Sequence, residues 1–90
     1  MAIQVWQGTA RDVVCGDAIL RAGDIEFNGE RIGVLSEGNE QNVFFGDKTG
    51  KIAVCRLRSD REEDDQAYVY VFPSPVFAKL FFGKELESLQ

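Results

Sequence analysis

Ala67-Tyr-Val-Tyr-Val-Phe72, continued by Pro73-Ser-Pro-Val-Phe-Ala-Lys-Leu-Phe-Phe82, is the stretch on which the fold of this 90-residue chain turns. Side chains alternate across a strand, so Tyr68, Tyr70 and Phe72 share one face while Ala67, Val69 and Val71 share the other. Neither face is polar. That is the pattern of a central strand covered on both sides, because apolar area left in water forfeits roughly 25 cal/mol per Å². Pro73 ends the strand, having no N–H for a ladder. Ser74 and Pro75 then read as the cap and first position of a helix, with the serine hydroxyl accepting an otherwise unpaired N–H. Val76/Leu80 and Phe77/Phe81 form i,i+4 pairs and Phe82 widens the stripe, so the helix is expected to lie on the sheet. Gly83 either ends the helix or is passed through, since Phe82, Leu86 and Leu89 keep the i, i+4, i+7 spacing.

Upstream, Ile52-Ala-Val-Cys-Arg-Leu-Arg58 is a second strand with two apolar sides, Ile52 and Val54 on one and Ala53, Cys55 and Leu57 on the other. It is expected beside the first. With Val43-Phe-Phe45 it flanks Gly46-Asp-Lys-Thr-Gly-Lys51, a hairpin connection in which the glycine spacing and Ile52 depart from a phosphate-binding loop. Asn28-Gly29 suits a type I′ turn, which predicts a hairpin over residues 24–34 with Phe27 opposite Glu30, Glu26 opposite Arg31 and Ile25 opposite Ile32. Residues 36–42 are polar and read as a loop. Ile3-Gln-Val-Trp-Gln7 alternates as a first strand closed by Gly8, with Trp6 on the side opposite Ile3 and Val5. Residues 9–23 fit a helix or two short strands at Val13 and Ile19 joined at Cys15-Gly-Asp17. Gly16, costly in mid-helix by about 1 kcal/mol, favours the strands.

The expected fold is therefore α+β and mainly β: one domain over residues 1–90, a small antiparallel sheet or partly open barrel of five to six strands with a C-terminal helix packed on it. No apolar run approaches the ~20 residues of a membrane-spanning helix, and the N-terminus lacks a secretory pattern, so the chain reads as cytoplasmic and not membrane-bound. Cys15 and Cys55 have no CxxC spacing and read as free thiols of a reducing compartment.

Histidine is absent, which removes the usual general base, the Ser-His-Asp and Cys-His systems and the commonest zinc ligand. Asp17, Asp24, Glu26 and Glu30 are available carboxylates, but nothing in their spacing selects a catalytic pair. No enzyme activity, cofactor or metal is expected. The net charge of −5 disfavours direct nucleic-acid binding, and most of it sits in Ser59-Asp-Arg-Glu-Glu-Asp-Asp-Gln66, with five acidic residues and one arginine. Tyr68 and Tyr70 are better explained by core packing than by base stacking.

A non-catalytic protein-interaction domain, homo-oligomeric and accessory or regulatory, is the leading reading; the protein partner's identity is not legible. It rests on a surplus of apolar sheet surface that one short helix cannot cover on both faces, so the second face needs residues 9–23 of the chain, a curling of the sheet, or another subunit. Candidate contacts are Trp6 as an aromatic anchor, Asp60, Glu62, Glu63, Asp64 and Asp65 as a charged docking loop, and Phe77, Phe81 and Phe82 as a helix face. The alternative is an acidic inhibitor that imitates nucleic acid and blocks a basic groove, for which clustered carboxylates are the motive.

Overall fold

The computed structural model describes residues 3–59 and 65–89. Among them eight strands form two antiparallel sheets, followed by one helix. The larger sheet has the order β1-β8-β7-β6-β5, built from β1 (Gln4–Thr9), β5 (Glu30–Glu37), β6 (Glu40–Gly46), β7 (Ile52–Arg58) and β8 (Gln66–Phe72). The smaller has the order β2-β3-β4, from β2 (Val13–Cys15), β3 (Ile19–Ala22) and β4 (Ile25–Asn28). The helix α1 (Pro75–Ser88) comes last. The sheets are open, so the barrel alternative does not apply.

The two-sided strands form the middle of the large sheet, as their pattern predicts. β8 lies between β1 and β7, and β7 holds the centre. Ala53, Cys55, Val69 and Val71 of β7 and β8 are buried with Val43 and Phe45 of β6 against Leu20, Ala22, Ile25 and Phe27 of the small sheet. On the opposite face Phe44, Val54 and Phe72 are buried against Ala78 and Phe82 of α1. The domain thus has three layers, helix on sheet on sheet.

This arrangement corrects the argument for surplus sheet surface. The second face is covered from within the chain, by residues 13–28, and not by another subunit. Residues 9–23 contribute to that cover as strands after a 3₁₀ turn at Ala10–Asp12, in which the Thr9 hydroxyl donates to Asp12 Oδ2 at 2.7 Å.

The hairpin expected at Asn28-Gly29 does not form. β4 pairs with β3, and β5 pairs with β6, so the predicted Glu26/Arg31 and Ile25/Ile32 partnerships are absent. The tight turn is instead Gly23-Asp24, closing Ala22 onto Ile25, with Gly23 at φ +57° in the position where type II′ turns need a positive angle. Asn28 has no such angle. Gly29 serves as the corner between sheets: it donates to the Ala18 carbonyl at 3.0 Å, and a Cβ there would fall 2.3 Å from the Gly46 carbonyl oxygen.

The polar stretch 36–42 is also corrected. It is the end of β5, a two-residue turn at Gly38-Asn39 and the start of β6, with Glu37 opposite Glu40. Gly38 carries φ +60°. Polar side chains suit this end of the sheet, since β5 is its edge strand and faces water on its unpaired side. The connection from β6 to β7 is as expected, with Gly46 opposite Ile52.

At the end of the chain, the strand-to-helix transition at Pro73 holds, with Pro75 in the first turn. The Ser74 hydroxyl makes no capping bond; its backbone carbonyl accepts from Ala78 N at 3.2 Å. The helix passes Gly83 but is kinked at Phe82, whose φ −129° and ψ 35° are not helical. Its inner face is Ala78 and Phe82, with Phe77, Leu86 and Leu89 partly buried beside them. Small Ala78 lets the helix approach the sheet closely, so the inner face differs from the Val76/Leu80 pair, which points to solvent.

Candidate interaction surface

The outer side of α1 carries the largest departure from ordinary burial. Leu80 is 74% exposed, Val76 68% and Phe81 60%, although the inner side of the same helix is fully packed. Contiguous apolar side chains left in water beside a packed inner face mark a surface able to meet another. Val76, Leu80 and Gly83 follow one another at i, i+4, i+7 along that outer stripe. Beside it Lys79, Gly83, Leu86 and Glu87 line a hollow of about 420 Å³. Space above Gly83 is open, with no atom within 4 Å of where a Cβ would stand. Val5, 60% exposed, adds an apolar side chain on the same side of the sheet, opposite Tyr70 on the edge strand β1.

The residues singled out from sequence do not form one site. Phe82 is core: only 4% exposed, its ring lies 6.0 Å from Phe44, 5.4 Å from Tyr70 and 5.9 Å from Phe72, with the Arg56 guanidinium 5.0 Å above it. It therefore offers no contact to a partner. Phe77 is half-buried in the same cluster, and Phe81, although exposed, leans on Phe72 with 5.4 Å between ring centroids. Trp6 is half-buried on the other face of the sheet, against the small-sheet core, and its ring fills the space over Gly8 and Gly23. Asp60, Glu62, Glu63 and Asp64 lie outside the described residues. Asp65 is exposed, and its carbonyl accepts from Ala10 N at 2.8 Å. Sequence reasoning passed over Lys79 and Glu87 and read Leu86 only as part of the helix spacing, because their place beside the hollow is visible only once the inner face of the helix is known.

A second cluster joins the two sheets. Arg31, freed from the predicted pairing with Glu26, donates through Nη2 to the carbonyls of Cys15 and Gly16 at 3.2 and 2.9 Å and stands 3.9 Å from Cys15 Sγ. Cys55 is buried in the core cluster between the sheets and Cys15 packs against that cluster. Hydrogen bonding by the Cys55 thiol is the main influence lowering the Cys15 pKa to about 7, against the opposing effect of burial and with help from the Arg31 charge and hydrogen bond. Cys55 moves the other way: the Cys15 thiol and burial both push its thiol up.

In the loop from β6 to β7, the Asp47 carboxylate accepts from Thr49 N at 2.9 Å, Thr49 Oγ1 at 2.7 Å and Lys51 N at 3.0 Å. The Thr49 hydroxyl bond is the main cause holding its carboxyl below the usual range. Two of the amides that an anion would need are thereby occupied from within. Among the described residues no group of three or more His, Cys, Asp and Glu side chains stands together as a metal would require. No helix of the described residues is long and apolar enough to cross a membrane. Comparison with family models, curated proteins and solved structures finds no match to this chain.

Proposed function

We propose that this chain is a non-catalytic, cytoplasmic protein-interaction domain that pairs with a second copy of itself through the outer face of α1. The observation that carries the reading is the self-complementary pattern around Gly83: Lys79 stands four residues before it and Glu87 four after, on the rim of a hollow floored by Gly83 and Leu86. Glu87 is about 6 Å from Gly83 along the helix axis, and Lys79 stands at the same sequence separation on the far side of the Phe82 kink. In an isologous contact, residue i meets j and j meets i. Two α1 helices crossing antiparallel at Gly83 bring Lys79 to the partner's Glu87 and Glu87 to the partner's Lys79. The same crossing sets Leu80 against the partner's Leu86 and covers Val76 and Leu80, while the lack of a side chain on Gly83 lets the backbones approach. The free thiols at Cys15 and Cys55 support a reducing cytoplasmic setting.

Sedimentation of the wild-type chain across micromolar concentrations is expected to show a monomer–dimer equilibrium. Lys79→Glu is expected to weaken it by roughly tenfold or more, since like charges then face each other twice, and adding Glu87→Lys is expected to restore it. A strict monomer at high micromolar concentration overturns self-pairing and leaves the face to a different protein. So does a double charge reversal that fails to recover association while the folded spectrum is retained.

A further inference from the structure

We propose that Cys15 and Cys55 form a peroxide-reactive dithiol that closes into a disulfide joining the two sheets. These are the only cysteines of the chain, and they come from different layers: Cys15 ends β2 of the small sheet and Cys55 lies in β7 at the centre of the large one. Forty residues apart in sequence, they are brought by the layer packing into one core cluster, Cys55 buried within it and Cys15 packed against it. Their surroundings differ in the way a two-step oxidation needs. Cys55 is fully buried, so a dissolved oxidant cannot reach it first. Cys15 is only part-buried, and exposed Arg31 beside it is held in place by the two carbonyls of Cys15 and Gly16.

The groups acting on Cys15 are the Cys55 thiol of β7 and the Arg31 guanidinium of β5, and both stabilise its thiolate. The thiolate is the reactive form of a cysteine, and Cys15 is also the thiol that solvent can reach, Cys55 being fully buried. Cys15 is therefore the attacking sulfur and Cys55 the resolving one. The Cys15 thiolate attacks one oxygen of a hydroperoxide, an S–O bond forms as the O–O bond breaks, and the departing alkoxide or hydroxide takes a proton from water. Cys15 is left as a sulfenic acid. Cys55 then gives up its proton, its sulfur attacks Cys15, and the hydroxyl leaves as water. Two thiols lose two electrons and two protons in total, and the hydroperoxide is reduced to an alcohol, or water, plus water. Arg31 acts as a positioning residue, fixing and charge-stabilising Cys15 without forming a bond to sulfur.

The test is treatment of the full chain with hydrogen peroxide, read by intact mass, thiol labelling and a non-reducing peptide map. The expected result is loss of two hydrogens, loss of both labelling sites and a Cys15–Cys55 linked peptide. In Cys55→Ser the reaction is expected to stop at a Cys15 sulfenic acid that dimedone traps. Arg31→Gln is expected to raise the midpoint of the pH profile for Cys15 alkylation and to slow the peroxide reaction severalfold at pH 7, partly offset by the greater nucleophilicity of a more basic thiolate. The proposal is overturned if excess peroxide leaves both thiols free, if disulfides form only between molecules, or if wild-type Cys15 titrates as an ordinary thiol. The wild-type peptide map and pH profile decide it even where a variant fails to fold.

Discussion

The two faces of the five-stranded sheet are covered by different means, and they are covered to different depths. On one, three short strands joined by tight turns lay Leu20, Ala22, Ile25 and Phe27 over Val43, Phe45, Ala53, Cys55, Val69 and Val71 of β6, β7 and β8, and the four from the small sheet are at most 7% exposed. On the other, a single kinked helix covers an aromatic surface and leaves Val76, Leu80 and Phe81 in solvent. A sheet buries a whole face, whereas a helix buries a stripe. An apolar residue beyond that stripe is wasted on a monomer. The helix-covered face therefore keeps apolar side chains available to a second surface, and the sheet-covered face encloses its own, Cys55 included.

The contrast within the helix gives the largest expected effect. Phe82→Ala removes a ring packed among Phe44, Tyr70 and Phe72 and should cost about 3–5 kcal/mol of folding stability. Phe81→Ala should cost less than about 1 kcal/mol in the monomer, because that side of the helix is already wet. Urea unfolding at submicromolar concentration, where association does not contribute, measures both. Equal losses would mean that the inner and outer sides of α1 are not distinct.

Much of the first face was legible and much of the second cover was not. Ala67, Val69 and Val71 alternate with Tyr68, Tyr70 and Phe72 in β8 as period-two reasoning predicts, and Pro73 and Pro75 mark the change to helix. That information is local. Whether Gly23-Asp24 or Asn28-Gly29 makes the hairpin is not, since each pair has acceptable turn chemistry and the choice is made by which sheet can bury Ile25 and Phe27. The same limit explains the helix face. The i,i+4 pairs occur on two sides of α1, and the side that packs is chosen by Ala78, whose small size is the signal for close approach. Cys15 and Cys55 carry no spacing motif, so their meeting follows from the layer order alone.

The joint between the two sheets is the next test of their difference. Gly29→Ala places a methyl carbon against the Gly46 carbonyl, a backbone atom that cannot swing aside as a side chain can. A loss of about 1–3 kcal/mol is expected, with hydrogen exchange accelerating first in β4 and β5, which diverge at this corner. A neutral outcome would show that the two sheets are free to shift relative to each other.

The smallest expected effect concerns polarity, which the two faces also divide unequally. Asn42 is the one buried polar residue among those described, and it lies on the helix side. Its Oδ1 accepts from Arg56 Nε at 2.8 Å, while Arg56 also stands 3.5 Å from Glu40 and over the Phe82 ring. Arg56→Lys keeps the charge but loses the planar donor, so Asn42 loses its fixed partner and the ring loses a stacked cation. With Arg56 and Glu40 about 30% exposed, water can replace part of what is lost, and a cost of about 0.5–1.5 kcal/mol is expected. A double-mutant cycle with Asn42→Ala isolates the hydrogen bond from the ring contact. If the Arg56→Lys loss vanishes in the Asn42→Ala background, the bond carries it; if it persists unchanged, the Phe82 contact does, and the helix is then held in part by the same residue that satisfies the sheet beneath it.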